Sequence, residues 1–177
     1  AGYIPDARVQ VDQARVAAQS NRLGYDEPMD VESVARRLAD TCQQFTQYAG
    51  VRPFGVSLVV AGVDRNGPEL YMTDPSGTYI GYDAIAIGAA SDQVIEYFEQ
   101  NYASGKKLDD IIVQAIDAIY LVSEDKTGTK HIKIAVVDKS GKMRRLTNSE
   151  IERFATKAKS RVPEKKKPKS TKNKSRA

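Results

Sequence analysis

With 177 residues, 41% of them hydrophobic, the chain is long enough to bury a core, and a single domain is the expectation. One cysteine, Cys42, and one histidine, His131, exclude an internal disulfide framework and a zinc cluster, and neither residue supports an enzyme. The net charge of +4 is held unevenly: residues 157–177 carry ten of the 27 Lys and Arg but one of the 23 acids, leaving the body with 17 basic and 22 acidic residues, about −5.

Residues 6–20 read as a helix, with Ala7, Val11, Ala14 and Ala18 at spacings of four and three and Pro5 near its start. A second helix is expected from Val31 to Tyr48, capped by Asp30, with Val34, Leu38, Cys42 and Phe45 along one stripe. Gly50 and Pro53 close it. Cys42 falls on the apolar stripe and reads as a small buried hydrophobe.

The period then becomes strand-like. Gly55–Val63 is almost wholly apolar and β-branched, the pattern of a central strand covered on both faces. After the DRNGP turn, Leu70–Thr73 is a second strand; after the DPSG turn, Thr78–Ile87 is a third, and together they form an antiparallel meander. Ser91 suits the N-cap of a helix to Asn101 with Val94, Ile95 and Phe98 inward, and Leu108, Ile111, Ile112, Ala115, Ile116 and Ala118 mark a longer one to Ser123. His131–Asp138 and Lys142–Leu146 form a hairpin around DKSG, with His131 a surface or hydrogen-bonded histidine. Thr147 and Glu150 make a capping box opening a last helix to Ser160.

Helices and strands in separate blocks imply an α+β fold, with helices stacked on antiparallel sheet. The last residues, VPEKKKPKSTKNKSRA, are low in apolar side chains and are expected to be disordered. A basic tail on a mildly acidic body argues against a specific nucleic-acid groove built into the fold. No run of apolar residues is long enough for a membrane helix and the start lacks the regions of a signal peptide, so the chain reads as cytoplasmic.

Three motifs, in order, carry a resemblance. GYIPDARVQVDQARVAAQSNRL, with Gly2, Tyr3, Asp6 and Arg8, resembles the segment that opens the first long helix of proteasome α subunits. QYAGVRPFGVSLVVAGVD, centred on Arg52, Pro53, Phe54 and Gly55, is similar to the most diagnostic stretch of those subunits, and LYMTDPSGTYIGYDAIAIG, with Asp74, Pro75 and Gly77, matches the strand, turn and strand that follow. The archaeal type of the 20S core particle is the nearest in appearance. The resemblance implies an N-terminal nucleophile (Ntn) hydrolase fold, a four-layer αββα sandwich with antiparallel sheets. Residues 1–162 would be the C-terminal two-thirds of the domain and residues 163–177 the basic tail. The gate segment, first helix and first strands of the family would precede Ala1, so the chain is expected to leave sheet edges and an apolar face uncovered.

Catalytic members of this wider family use an N-terminal threonine hydroxyl, which Ala1 and Gly2 lack, and Ser20 and Ser33 fall within expected helices. Asp109 and Asp110 read as the polar first turn of a helix, not as a catalytic pair. No catalytic residue, cofactor or metal is assigned. What the resemblance implies is a structural and gating subunit in a heptameric ring with other α subunits, stacked on β subunits, docked by a regulatory ATPase activator and traversed by unfolded polypeptides. Gly2 and Tyr3 match the glycine and apolar wall of the pocket that receives activator tails, although Tyr3 replaces the usual leucine; a partly exposed tyrosine without a docking role is the alternative. Arg52 is expected to bond backbone carbonyls at the helix end, against contact with a neighbour or a phosphate. Ala49 stands where a second glycine is common, which raises the question of a positive φ there. Two rival functions are a β-type threonine protease subunit and a protein that binds acidic partners or nucleic acid through its tail.

Overall fold

The computed structural model describes residues 1–123 and 128–159. The basic tail therefore lies outside the described residues. The elements follow the expected order: α1 (Ile4–Tyr25), α2 (Val31–Gln47), β1 (Leu58–Asp64), β2 (Gly67–Thr73), β3 (Tyr79–Gly81), α3 (Ser91–Asn101), α4 (Leu108–Val122), β4 (Ala135–Val137), β5 (Met143–Arg145) and α5 (Asn148–Lys159).

Helix α1 is longer than its apolar spacing predicts and its buried face is rotated from the alanine stripe. Asp6, Gln10 and Ala17 are buried, Ala7, Ala14 and Ala18 are half-buried, and Val11 is exposed. Of the two buried polar residues, Asp6 meets Arg52, while Gln10 donates its Nε2 to Cys42 Sγ at 3.0 Å and leaves its buried Oε1 without a hydrogen-bond partner among the described residues. The helix ends at Asp26, which takes a left-handed φ of 56° and returns its N–H to the Arg22 carbonyl at 2.9 Å.

Helix α2 buries Val31, Ala35, Leu38, Ala39 and Cys42, a stripe at helical spacing, with Val34 and Phe45 half-buried beside it. Fully burying a side chain of the size of Leu38 contributes roughly 1.5–3 kcal/mol. Asp30 occupies the N-cap position, but its side chain does not cap. It pairs with Arg65 at 3.0 Å, and the free N–H of Val31 is taken instead by Asp64 Oδ2 at 3.0 Å. The cap thus comes from the end of β1, which ties the helix to the sheet. At the other end of α2 the left-handed residue is Gly50, with φ of 87°, so Ala49 carries no such strain.

The three-stranded sheet has order β1-β2-β3, all antiparallel, with Val60 opposite Tyr71 and Tyr71 opposite Gly81. Among the described residues β1 pairs with β2 alone. Its Leu58, Val60 and Gly62 alternate inward, while Val59, with Ile80 across the sheet, stays open at 42% and 49% exposure. The DPSG turn packs on α2: Gly77 has φ of +97°, and a Cβ there would lie 2.8 Å from Gln43 Cα. Only glycine meets both conditions.

Strand β3 is much shorter than its apolar run. After Tyr82 donates to the Leu70 carbonyl at 2.9 Å the chain leaves the sheet, and Ala84 and Ile85 line a small cavity with Ile95, Phe98 and Tyr102 of the α3 region. Apolar residues packing against a helix from a loop carry the same composition as a strand. Ser91 is the first residue of α3 and not its cap; Ala90 holds the cap position at φ of 59°, and Ser91 N–H returns to the Gly88 carbonyl at 3.3 Å.

A second core forms where α4 and α5 meet the short hairpin: Ile112, Val113, Ile116 and Tyr120 pack with Ile132, Leu146, Ile151, Ala155 and Ala158. Leu108 and Ile111 lie on the outer face, 50% and 45% exposed. The strand expected from His131 narrows to β4, since Ile132 turns into this core and His131 is exposed. Thr147 and Glu150 form the expected capping box, with Thr147 N–H to Glu150 Oε2 at 2.8 Å and Glu150 N–H to Thr147 Oγ1 at 3.3 Å.

Candidate functional site

The residues of the first two motifs converge at the start of α1. Gly2 forms an isolated bridge with Val56, Tyr3 N–H donates to the Gly55 carbonyl at 2.7 Å, and Ser57 N–H donates to the Ala1 carbonyl at 2.9 Å. The segment before α1 therefore lies antiparallel to the chain entering β1. Gly2 is needed there: its φ is +119°, and a Cβ would collide with the Gly55 carbonyl and sit 3.0 Å from Val56 Cα.

Beneath this crossing, Asp6 is buried and fully engaged. Its Oδ2 accepts from Arg52 Nη1 at 2.7 Å and from Gly55 N–H at 2.9 Å, and its Oδ1 accepts from Arg52 Nη2 at 2.8 Å. This two-pronged pair, with the guanidinium bond first and the Gly55 amide second, holds the Asp6 carboxyl at about 2, well below the usual carboxylate range. Arg52 Nη1 also reaches the Pro53 carbonyl at 3.0 Å. The expectation that Arg52 bonds carbonyls is thus met only in that minor contact. Its principal partner is a carboxylate on another helix, because a planar fork matches two carboxylate oxygens better than scattered carbonyls.

Two side chains of the cluster remain open to solvent. Tyr3 is 56% exposed, and the Arg52 guanidinium centre lies 5.3 Å from its ring centroid, within cation–π range. The Arg52 side chain is itself 62% exposed while that of Asp6 is only 10%. Phe54, by contrast, is buried and packs on Phe45 of α2 with ring centroids 4.7 Å apart and the rings tilted by 48°. Pro53 carries the loop between these anchors, and Arg8 points outward from the first turns of α1.

The third motif sits elsewhere. Asp74, Pro75 and Gly77 form the turn beside α2, where Asp74 N–H donates to the Thr78 carbonyl at 3.0 Å and Asp74 Oδ1 accepts from Ser76 N–H at 2.9 Å. These residues shape a turn and do not join the cluster at Tyr3. Asp109 falls in the first turn of α4 and is exposed, with Asp110 beside it. Cys42 is buried, and burial pushes its thiol up from the ordinary value.

Comparison with known proteins bears on the same motifs. The family model described as proteasome subunit matches residues 1–137, which includes all three of them. The chain belongs to the proteasome subunit family. It is 44% identical over 154 residues to proteasome subunit alpha of Methanosarcina acetivorans, covering 86% of this chain and 62% of that relative. Proteasome subunit alpha of Pyrobaculum aerophilum is 43% identical over 157 residues, 88% of this chain and 64% of the relative. That of Archaeoglobus fulgidus is 42% identical over 164 residues, 92% and 66% respectively. The chain thus spans somewhat less than two-thirds of the length of these relatives. The helices and antiparallel strands described above agree with an α+β proteasome-family domain. Among the described residues, no helix is long and apolar enough to cross a membrane.

The pairing of Asp6 with Arg52 was not visible in the sequence. Its only signal is a charge of each sign inside two motifs that the resemblance brings forward together.

Proposed function

We propose that this chain belongs to an α subunit of the 20S proteasome core, a non-catalytic member of the outer heptameric ring that gates the entry of unfolded polypeptides. The observation that carries the reading is its similarity, at 42–44% identity over most of the chain, to proteins named proteasome subunit alpha in several archaea. Its partners in this reading are neighbouring α subunits, the β subunits that hold the threonine nucleophiles, and a regulatory ATPase. Ring closure needs a head-to-tail interface in which each copy presents two different surfaces. The exposed Ile4, Val16 and Leu23 on α1 supply apolar surface for such contacts. The location is cytoplasmic, where unfolded polypeptide is produced.

Within that ring, Gly2 and Tyr3 form one wall of the pocket that receives activator tails. Support comes from the exposed Tyr3 ring on a backbone fixed by the bond to Gly55, so the wall is both accessible and rigid. The basic tail at residues 163–177 acts as a solubilising extension.

Hydrolysis of a fluorogenic peptide by the full-length subunit, alone and mixed with its β partner, tests the non-catalytic assignment. Cleavage is expected only in the mixture. Cleavage by the purified α chain alone would overturn the proposal.

A further inference from the structure

We infer that Arg52 is a positioning residue of the Tyr3 docking wall, setting the orientation of the Tyr3 ring and, through it, the affinity for an incoming apolar or aromatic side chain. The inference rests on the reading of Tyr3 as the pocket wall. Three observations carry it. The Arg52 guanidinium is fixed from below by two bonds to the buried carboxylate of Asp6, at 2.7 and 2.8 Å, and so has a defined place although its side chain is largely exposed. Its centre lies 5.3 Å from the Tyr3 ring centroid, where attraction between the cation and the ring face favours one arrangement of that ring. The Tyr3 backbone is anchored through its N–H to the Gly55 carbonyl at 2.7 Å, and Gly55 N–H in turn donates to the same Asp6 carboxylate at 2.9 Å.

Asp6 therefore holds both supports of Tyr3, the backbone through Gly55 and the ring through Arg52. A tyrosine here, unlike a leucine, offers a planar face whose value to a partner depends on its angle. An exposed ring left to rotate would lose orientational freedom on docking, whereas a ring already stacked on a fixed cation has lost it beforehand. Arg52 acts on the partner through Tyr3 and needs no contact of its own.

The test uses the full-length subunit in its native assembly and a fluorescein-labelled peptide copying the C-terminal tail of the host's regulatory ATPase, with binding followed by anisotropy. Tyr3→Ala, Arg52→Ala and the double variant are compared. Tyr3→Ala and Arg52→Ala are each expected to weaken binding, the latter by about two- to fivefold, the size of an exposed cation–π contact. The double variant is expected to bind no worse than Tyr3→Ala alone, because Arg52 has no route to the peptide once the ring is gone. If Tyr3→Ala weakens binding while Arg52→Ala does not, or if the two losses multiply, the positioning role is overturned and the docking wall stands. If Tyr3→Ala leaves binding unchanged, the docking wall itself falls, and the inference with it. Should Arg52→Ala fail to assemble, Arg52→Lys keeps the charge without the two-pronged geometry. The 19F line of 3-fluorotyrosine at Tyr3, assigned by Tyr3→Phe, is then expected to move in Arg52→Lys, and an unmoved line overturns the inference.

Discussion

Asp6 and Arg52, 46 positions apart in the chain, are joined by two hydrogen bonds of 2.7 and 2.8 Å, and the same carboxylate takes the Gly55 amide. The start of α1 and the entry to β1 are thereby fixed to each other through one buried acid. The folded-state value of Asp6, about 2, lies below its ordinary 3.8. For a depressed carboxyl the stabilisation is complete above the unfolded value and is lost as pH falls through the folded one. Thermal melts of the natural chain and Asp6→Asn should therefore differ most at neutral pH and converge as pH drops from about 4 to about 2. A difference that stays constant over that window would contradict the charged pair.

Helix α2 should depend on Asp64 more than on Asp30. Asp64 takes the Val31 amide through Oδ2 and the Asn66 amide, at 2.8 Å, through Oδ1, whereas Asp30 is engaged with the exposed Arg65. Removing a cap costs about 1 kcal/mol, and an exposed ion pair contributes about half of that or less. Urea denaturation is expected to show a larger loss for Asp64→Ala than for Asp30→Ala; the reverse order would place the cap where the sequence first suggests it.

Alanine substitutions at two glycines separate backbone conformation from space. Gly67 has φ of +114° with nothing within 4 Å of a built Cβ, while Gly77 combines φ of +97° with the Gln43 backbone. Gly67→Ala is expected to cost about 1 kcal/mol for the left-handed conformation alone, and Gly77→Ala more than about 2 kcal/mol. Equal shifts in the denaturation midpoint would show that the turn can move away from α2.

The second core gives a parallel contrast on one helix. Ile116 is fully buried and Ile119 is 43% exposed. Ile116→Ala should destabilise the subunit by about 2–5 kcal/mol, as a cavity forms between α4 and α5, and Ile119→Ala by well under that amount. Differential scanning calorimetry of the two variants reads the difference directly.

The order of the ten described elements was legible because the apolar pattern changes from helical to strand-like at Gly55, back to helical at Ser91, and to strand-like again near His131 before the capping box at Thr147. Element ends and caps were less so. The run through Ile87 has strand composition, yet Ala84 and Ile85 serve a loop packed near α3, since burial and not pairing selects apolar side chains there. Asp30 satisfies every local rule for a cap, but Asp64 reaches the same amide from 33 positions away. The cluster at Tyr3 was legible only as two separate motifs. That Asp6 and Arg52 face each other is a property of how α1 crosses the entry to β1, which no local spacing encodes.

Native mass spectrometry of the full-length subunit, purified from its natural host, decides whether it assembles as a ring, because one spectrum reports subunit mass and stoichiometry together. The expected result is a heptameric ring of this subunit, or a larger particle that also contains a second kind of subunit. A monomer with neither copies of itself nor a β partner would contradict the assignment to a proteasome ring.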